Sequence, residues 1–224
     1  MSLTLDPTER RVVGSLIEKD LSVPESYPLT LNSLLLACNQ KNNRDPVTAY
    51  EEHHVAGALR ALMDRGWVEE LERAGSRTRS YAHRAKEMLA VERPELAILA
   101  ELLLRGPQSS GELKTRASRM APLASVEDVE RRLEALASRP APYVRFLGKR
   151  PGERVGRFTD LLGTPAASSG PTEAGAPHAP AAVDLDDAAR AAEAEPLAAT
   201  TSDLVARVER LEREVAALRA RLDG

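Results

Sequence analysis

Residues 51–83 read EEHHVAGALRALMDRGWVEELERAGSRTRSYAH, and residues 125–162 read SVEDVERRLEALASRPAPYVRFLGKRPGERVGRFTDLL. Each stretch opens with an apolar stripe at helical spacing, passes an Arg, and continues as a short strand, a Gly-bearing basic tip and a second strand that carries an aromatic. Val55, Leu59, Leu62 and Arg65 stand in step with Val129, Leu133, Leu136 and Arg139. A constant offset over a whole supersecondary unit marks an internal duplication.

Working outward, each copy is preceded by two further helical segments. In the first, Asp6-Pro7-Thr8-Glu9 is an N-cap, a Pro at the first helical position and a Glu three residues after the cap. Val12, Val13, Leu16 and Ile17 then give an apolar face to about Asp20, and a second helix is expected over 30–38. Helix three runs from about Tyr50 to Arg65 and stops at Gly66, with paired strands at 67–71 and 78–83. In the second copy the spacing predicts helices over 95–105, 110–119 and 125–138, Ser125 and Asp128 forming a capping box, and strands over 143–147 and 157–162. Three helices and a hairpin, twice, is the order of tandem winged helix-turn-helix domains.

The expected class is therefore mainly α with small β-hairpins, an α+β chain. Its parts are a first winged-helix domain (1–84), a second (85–163), an Ala/Pro-rich acidic linker (164–200) and a C-terminal coiled-coil helix (201–224). At 224 residues, 42% hydrophobic but only 3% aromatic, the chain has the composition of two small folded units with a non-globular part. The net charge of −3 conceals a division: residues 1–163 carry 25 basic and 23 acidic side chains, whereas residues 164–200 carry one and six. The acidity belongs to the linker, which is too poor in apolar residues to order itself and spans roughly 35 Å as a flexible tether.

Beyond it, Leu204, Val208, Leu211, Val215, Leu218 and Leu222 alternate spacings of four and three. In a parallel pair Arg207 meets Glu212 and Glu214 meets Arg219, both attractive. Burial of each core side chain contributes about 1.5 to 3 kcal/mol and ordering each residue costs about 1 to 2, so a weak homodimer is expected, with packing back on the same chain as the alternative.

Little in the chain points to catalysis or to a cofactor. Adjacent His53 and His54 are expected on different faces of helix three, unsuited to one metal ion. Cys38 sits on an apolar stripe as a small core residue, and no phosphate-cradling Gly-rich loop or nucleophile elbow occurs. The reading is a non-enzyme without metal or cofactor. With a single Cys and no apolar leader or spanning run, a soluble cytoplasmic protein is expected.

The binding candidates are basic. Arg73, Arg77 and Arg79 flank the first hairpin tip, and Lys149, Arg150, Arg154 and Arg157 the second, where they could follow a phosphate backbone or simply guard strand edges. Helix three of each copy begins with carboxylates, Glu51 and Glu52, then Glu127 and Asp128, which repel phosphates and argue against insertion into the major groove. The Asn39, Gln40, Lys41, Asn42, Asn43, Arg44 run lengthens a turn that the second copy keeps short, and it reads either as a helix C-cap and polar loop or as a contact surface.

LIEKDLSVPESYPLTLNSLLLACNQKNNRDPV in the first copy and ELLLRGPQSSGELKTRA in the second resemble the YceH-like proteins of bacteria over residues 3–163. That resemblance implies a tandem winged-helix fold, with a C-terminal coiled segment in some members, and assigns no catalytic residues; the Ala/Pro-rich linker reads as a local elaboration. The leading expectation is modest binding of double-stranded DNA by a regulator that uses the hairpins and the 39–44 loop. The alternative is a scaffold that holds protein partners.

Overall fold

The computed structural model describes residues 3–72, 78–149, 152 and 154–163. The acidic linker and the heptad segment with its six apolar residues lie outside the described residues, as do Arg73, Arg77 and Arg150.

The chain begins with α1 (Pro7–Ser22), started by the capping box that its sequence encodes. The Glu9 amide donates to the Asp6 carboxylate at 2.8 Å, and the Asp6 amide donates back to Glu9 at 2.8 Å. A 3-10 turn, Pro24–Ser26, leads to β1 (Leu29–Thr30) and α2 (Leu31–Cys38), whose first turn is capped by the Thr30 hydroxyl. Then follow α3 (Glu52–Asp64) and the hairpin of β2 (Val68–Glu72) and β3 (Arg79–His83). A short helix, α4 (Ala85–Leu89), joins the copies.

The second copy comprises α5 (Arg93–Arg105), α6 (Ser110–Ala117) and α7 (Val126–Ala137), then β4 (Val144–Phe146) paired with β5 (Phe158–Asp160). The described residues thus hold seven α-helices and two small antiparallel sheets, a mixed α/β fold. None of these helices is long and apolar enough to cross a membrane.

The structure adds α4 and β1 to the elements expected from the sequence. β1 makes the first sheet three-stranded, in the order β1-β3-β2, with Leu29 opposite Tyr81. In the second copy the matching contact is a single bridge between Gln108 and Phe158, whose backbones exchange hydrogen bonds of 3.0 and 2.7 Å. Two-residue pairings carry too little alternation to register as strands.

The two copies share one continuous hydrophobic core. Its centre is α1 against α5, the most extensive helix pair. Gly14 makes that approach possible: a β-carbon there would lie 2.9 Å from Leu104 Cγ and 3.2 Å from Leu103 Cβ. α1 and α5 are buried on nearly every face, so the charges they carry must be answered inside the protein.

Candidate interaction surfaces

The 39–50 loop is built from the end of α2. Asn39 uses both ends of its amide on Tyr50, accepting from its backbone N–H and donating to its carbonyl, each at 2.8 Å. The Thr48 hydroxyl donates to the Cys38 carbonyl at 3.2 Å. Asn43 takes the left-handed conformation that Asn tolerates, φ 58°, and its side-chain oxygen accepts from Arg105. The Asp45 amide donates to the Leu104 carbonyl at 3.0 Å, which fastens the loop to α5.

Arg44 is the pivot. Its guanidinium, wholly buried, donates to the Ala37 carbonyl, the Asn43 carbonyl, Gln40 and, at 2.6 Å, Glu18. Glu18 also meets Arg119, and Arg119 reaches Glu101 on α5 at 2.9 Å. Two buried carboxylates, the buried Arg44 guanidinium and the partly exposed Arg119 guanidinium thus form a network that ties α1, the loop, α5 and the end of α6 together. Burial pushes the Glu18 carboxyl upward, but the hydrogen bonds and charges of Arg44 and Arg119 outweigh it and hold the group below its ordinary value.

Of the six loop residues singled out in the sequence, Lys41 and Asn42 face solvent. Asn39, Asn43 and Arg44 are engaged internally, and Gln40 accepts from Arg44. The extra length of this connection is thus explained in large part by folding, a role that no local pattern displays because Arg44 and Glu18 are 26 residues apart.

On the hairpins, Arg79 pairs with Glu70 across β2 and β3 at 3.2 Å. Arg157 donates to the Pro107 carbonyl at 3.1 Å and lies 3.4 Å from Glu112. Lys149 and Arg154 line a groove of about 510 Å³ between the second hairpin and α7, opposite Glu130 and Glu134. Its apolar part comes from Phe146, Val155 and Phe158; Phe146 and Phe158 lie 5.0 Å apart, and Gly156 has no β-carbon to displace the Phe146 ring. Phe146 and Val155 are 55% and 59% exposed, an unusual state for clustered large apolar side chains.

The starts of α3 and α7 keep their acidic character. His54 accepts from the Glu51 amide at 3.1 Å, and this fold-back draws its ring to 3.9 Å from that of His53, so the two rings meet instead of occupying separate faces. At α7, Ser125 caps the Asp128 amide at 3.2 Å, while the Asp128 carboxylate accepts from Ala124 and pairs with Arg131 and Arg132. The expected capping box is therefore half realised. Cys38 is fully buried, and burial pushes its thiol up to about 11, where little thiolate exists at neutral pH.

A family model described as a protein of unknown function, DUF480, matches residues 5–153, which include the first copy with its loop and the second copy up to the tip of its hairpin, before β5. The chain belongs to the DUF480 family. A UPF0502 protein of Mesorhizobium japonicum is 42% identical over 220 residues, covering 98% of this chain and 95% of the relative. One from Geobacter sulfurreducens is 51% identical over 162 residues, 72% of this chain and 74% of its own. A third, from an Enterobacter species, is 41% identical over 229 residues and covers 100% and 97%. The matches in Mesorhizobium and Enterobacter cover 98% and 100% of this chain and so extend into its C-terminal segment.

Proposed function

We propose that this chain is a tandem winged-helix protein without catalytic activity that holds a protein partner in the groove between α7 and the second hairpin. One observation carries the reading: Phe146 and Val155 are exposed together beside Phe158, at a place where the fold gains nothing from their exposure. A partner segment with an apolar face would cover them, and Lys149, Arg154, Glu130 and Glu134 would supply a polar rim. The carboxylates that open α3 and α7, and the engagement of Arg44, Arg79 and Arg157 by groups of the chain itself, favour a protein over a phosphate backbone. The heptad segment would join two copies weakly in the cytoplasm.

The test places a photo-activated cross-linker at position 155 of the full chain in living cells. The reading expects one dominant protein adduct that survives nuclease treatment and disappears when Phe146→Ser is added. Cross-linking that is absent, diffuse or abolished by nuclease overturns it.

A second reading, modest binding of double-stranded DNA, rests on Lys149 and Arg154 in that same groove. It expects saturable anisotropy changes with random duplex at low salt that weaken steeply at moderate salt. The absence of binding at low salt rules it out.

A further inference from the structure

A cavity of about 330 Å³ lies between α1, the 45–50 part of the loop and the turn that joins α5 to α6. Three guanidinium groups line it, those of Arg10, Arg11 and Arg105, against one carboxylate, Asp45. Their partners differ. Arg10 pairs with the buried Asp160. Arg105 donates to Asn43 and forms an ion pair with Glu101, whose carboxylate lies 3.7 Å from its Nε, too far for a hydrogen bond. The Nε atoms of both Arg10 and Arg105 are buried without an acceptor.

Arg11 is the unusual member. It is only 4% exposed, and its guanidinium donates to two carbonyls, Cys38 at 3.3 Å and Pro46 at 2.6 Å. Among the described residues no carboxylate stands within ion-pair distance of it. Burial and, next, repulsion from Arg44 disfavour its charged form. Carbonyl dipoles satisfy the N–H groups but supply no countercharge, and a buried cation without one is costly. Loop clamping alone would need only a neutral donor. A buried guanidinium without a paired carboxylate, two Nε donors without an acceptor and an accessible volume therefore meet among the residues that line one cavity.

We propose that this cavity binds a small phosphate-bearing metabolite, whose oxyanion supplies the missing countercharge to Arg11 and is shared with Arg105. A volume of this order is at the small end of ligand sites, enough for a phosphate with a short organic body. Planar guanidinium forks suit its oxygens. The Tyr50 side chain also lines the cavity, and its hydroxyl has no hydrogen-bond partner among the described residues. The bound anion would bridge the loop of the first copy to the α5–α6 turn of the second. This site is separate from the groove on the second hairpin and does not depend on which macromolecule is held there.

The experiment is calorimetric titration of the full chain with inorganic phosphate and pyrophosphate at constant ionic strength, with succinate as a carboxylate control. Saturable binding of either phosphate is expected, stronger than for succinate and weakened about tenfold or more by Arg105→Gln, the loss of one charge-assisted contact. Arg60→Gln on the exposed face of α3 leaves it unchanged. If Arg105→Gln fails to fold, Tyr50→Phe takes its place, with a smaller loss of affinity expected. Non-saturating heats with both phosphates overturn the proposal, as do equal affinities in the wild type and the cavity variant, or a preference for succinate.

Discussion

The two copies solve the same packing problem with opposite treatments of their connections. In the first, the chain between α2 and α3 is long and turned inward: Asn39, Asn43 and Arg44 place their polar atoms on backbone groups, on Glu18 and on Arg105. In the second, the chain between α6 and α7 is short, and the surplus is apolar and turned outward, on the hairpin that carries Phe146 and Val155. The difference shows that residues beyond the shared helical frame need not be functional because they are extra. The polar insertion completes the core. The exposed apolar pair is what the fold does not require.

The largest effect is expected where the first copy depends on its insertion. Glu18→Gln takes from the buried Arg44 the carboxylate it pairs with, and from Arg119 one of its two, and should destabilise the protein by about 3 to 5 kcal/mol in urea unfolding. Because Glu18 titrates below its ordinary value in the fold, its contribution is present above the carboxylate range and is lost as pH falls through it. The gap in stability between wild type and Glu18→Gln should therefore narrow on acidification. A constant gap would mean that the network contributes packing alone.

Next in size is the seam between the copies. Gly14→Ala drives a β-carbon into Leu103 and Leu104 and should cost about 1 to 3 kcal/mol, whereas Gly57→Ala on α3, where nothing lies within 4 Å, should add about 0.5 to 1 kcal/mol of stability through helix propensity. Thermal melts of the two variants side by side would expose any error in the placing of α1 on α5, because both should then shift in the same direction.

The smallest stability change is expected on the second hairpin. Val155→Ser should move unfolding by no more than about 0.5 kcal/mol, since this side chain is mostly in solvent, yet it should reduce capture of the partner. A large loss of stability would convert the exposed pair from a binding surface into part of the fold.

Much of the architecture was legible from residue order. The Asp6 to Glu9 capping box, the stripe Val55, Leu59 and Leu62, its counterpart Val129, Leu133 and Leu136, and both hairpins occur where periodicity puts them, within a few residues. α4 and β1 escaped because five and two residues are too few to show a period. The shared core left a readable trace: α5, RPELAILAELLLR, is apolar almost all round with one Glu in its middle, the pattern of a helix buried on every side. The candidate sites were less legible. Arg44 looks like an exposed loop cation until Glu18 is beside it, and the exposure of Phe146 and Val155 cannot be told from core burial by residue type.

The sequence by itself determined the duplication, the helices, the hairpins and their caps, because these depend on neighbours within a few positions along the chain. Only the tertiary structure decided that the copies share one core through α1 and α5, that Glu18 answers charges 26 and 101 residues away, and that three arginines face one cavity. Such contacts depend on distance through space, and the energy of a charge is set by its surroundings. The same guanidinium is a solvated handle on a hairpin and a buried strut against a carboxylate.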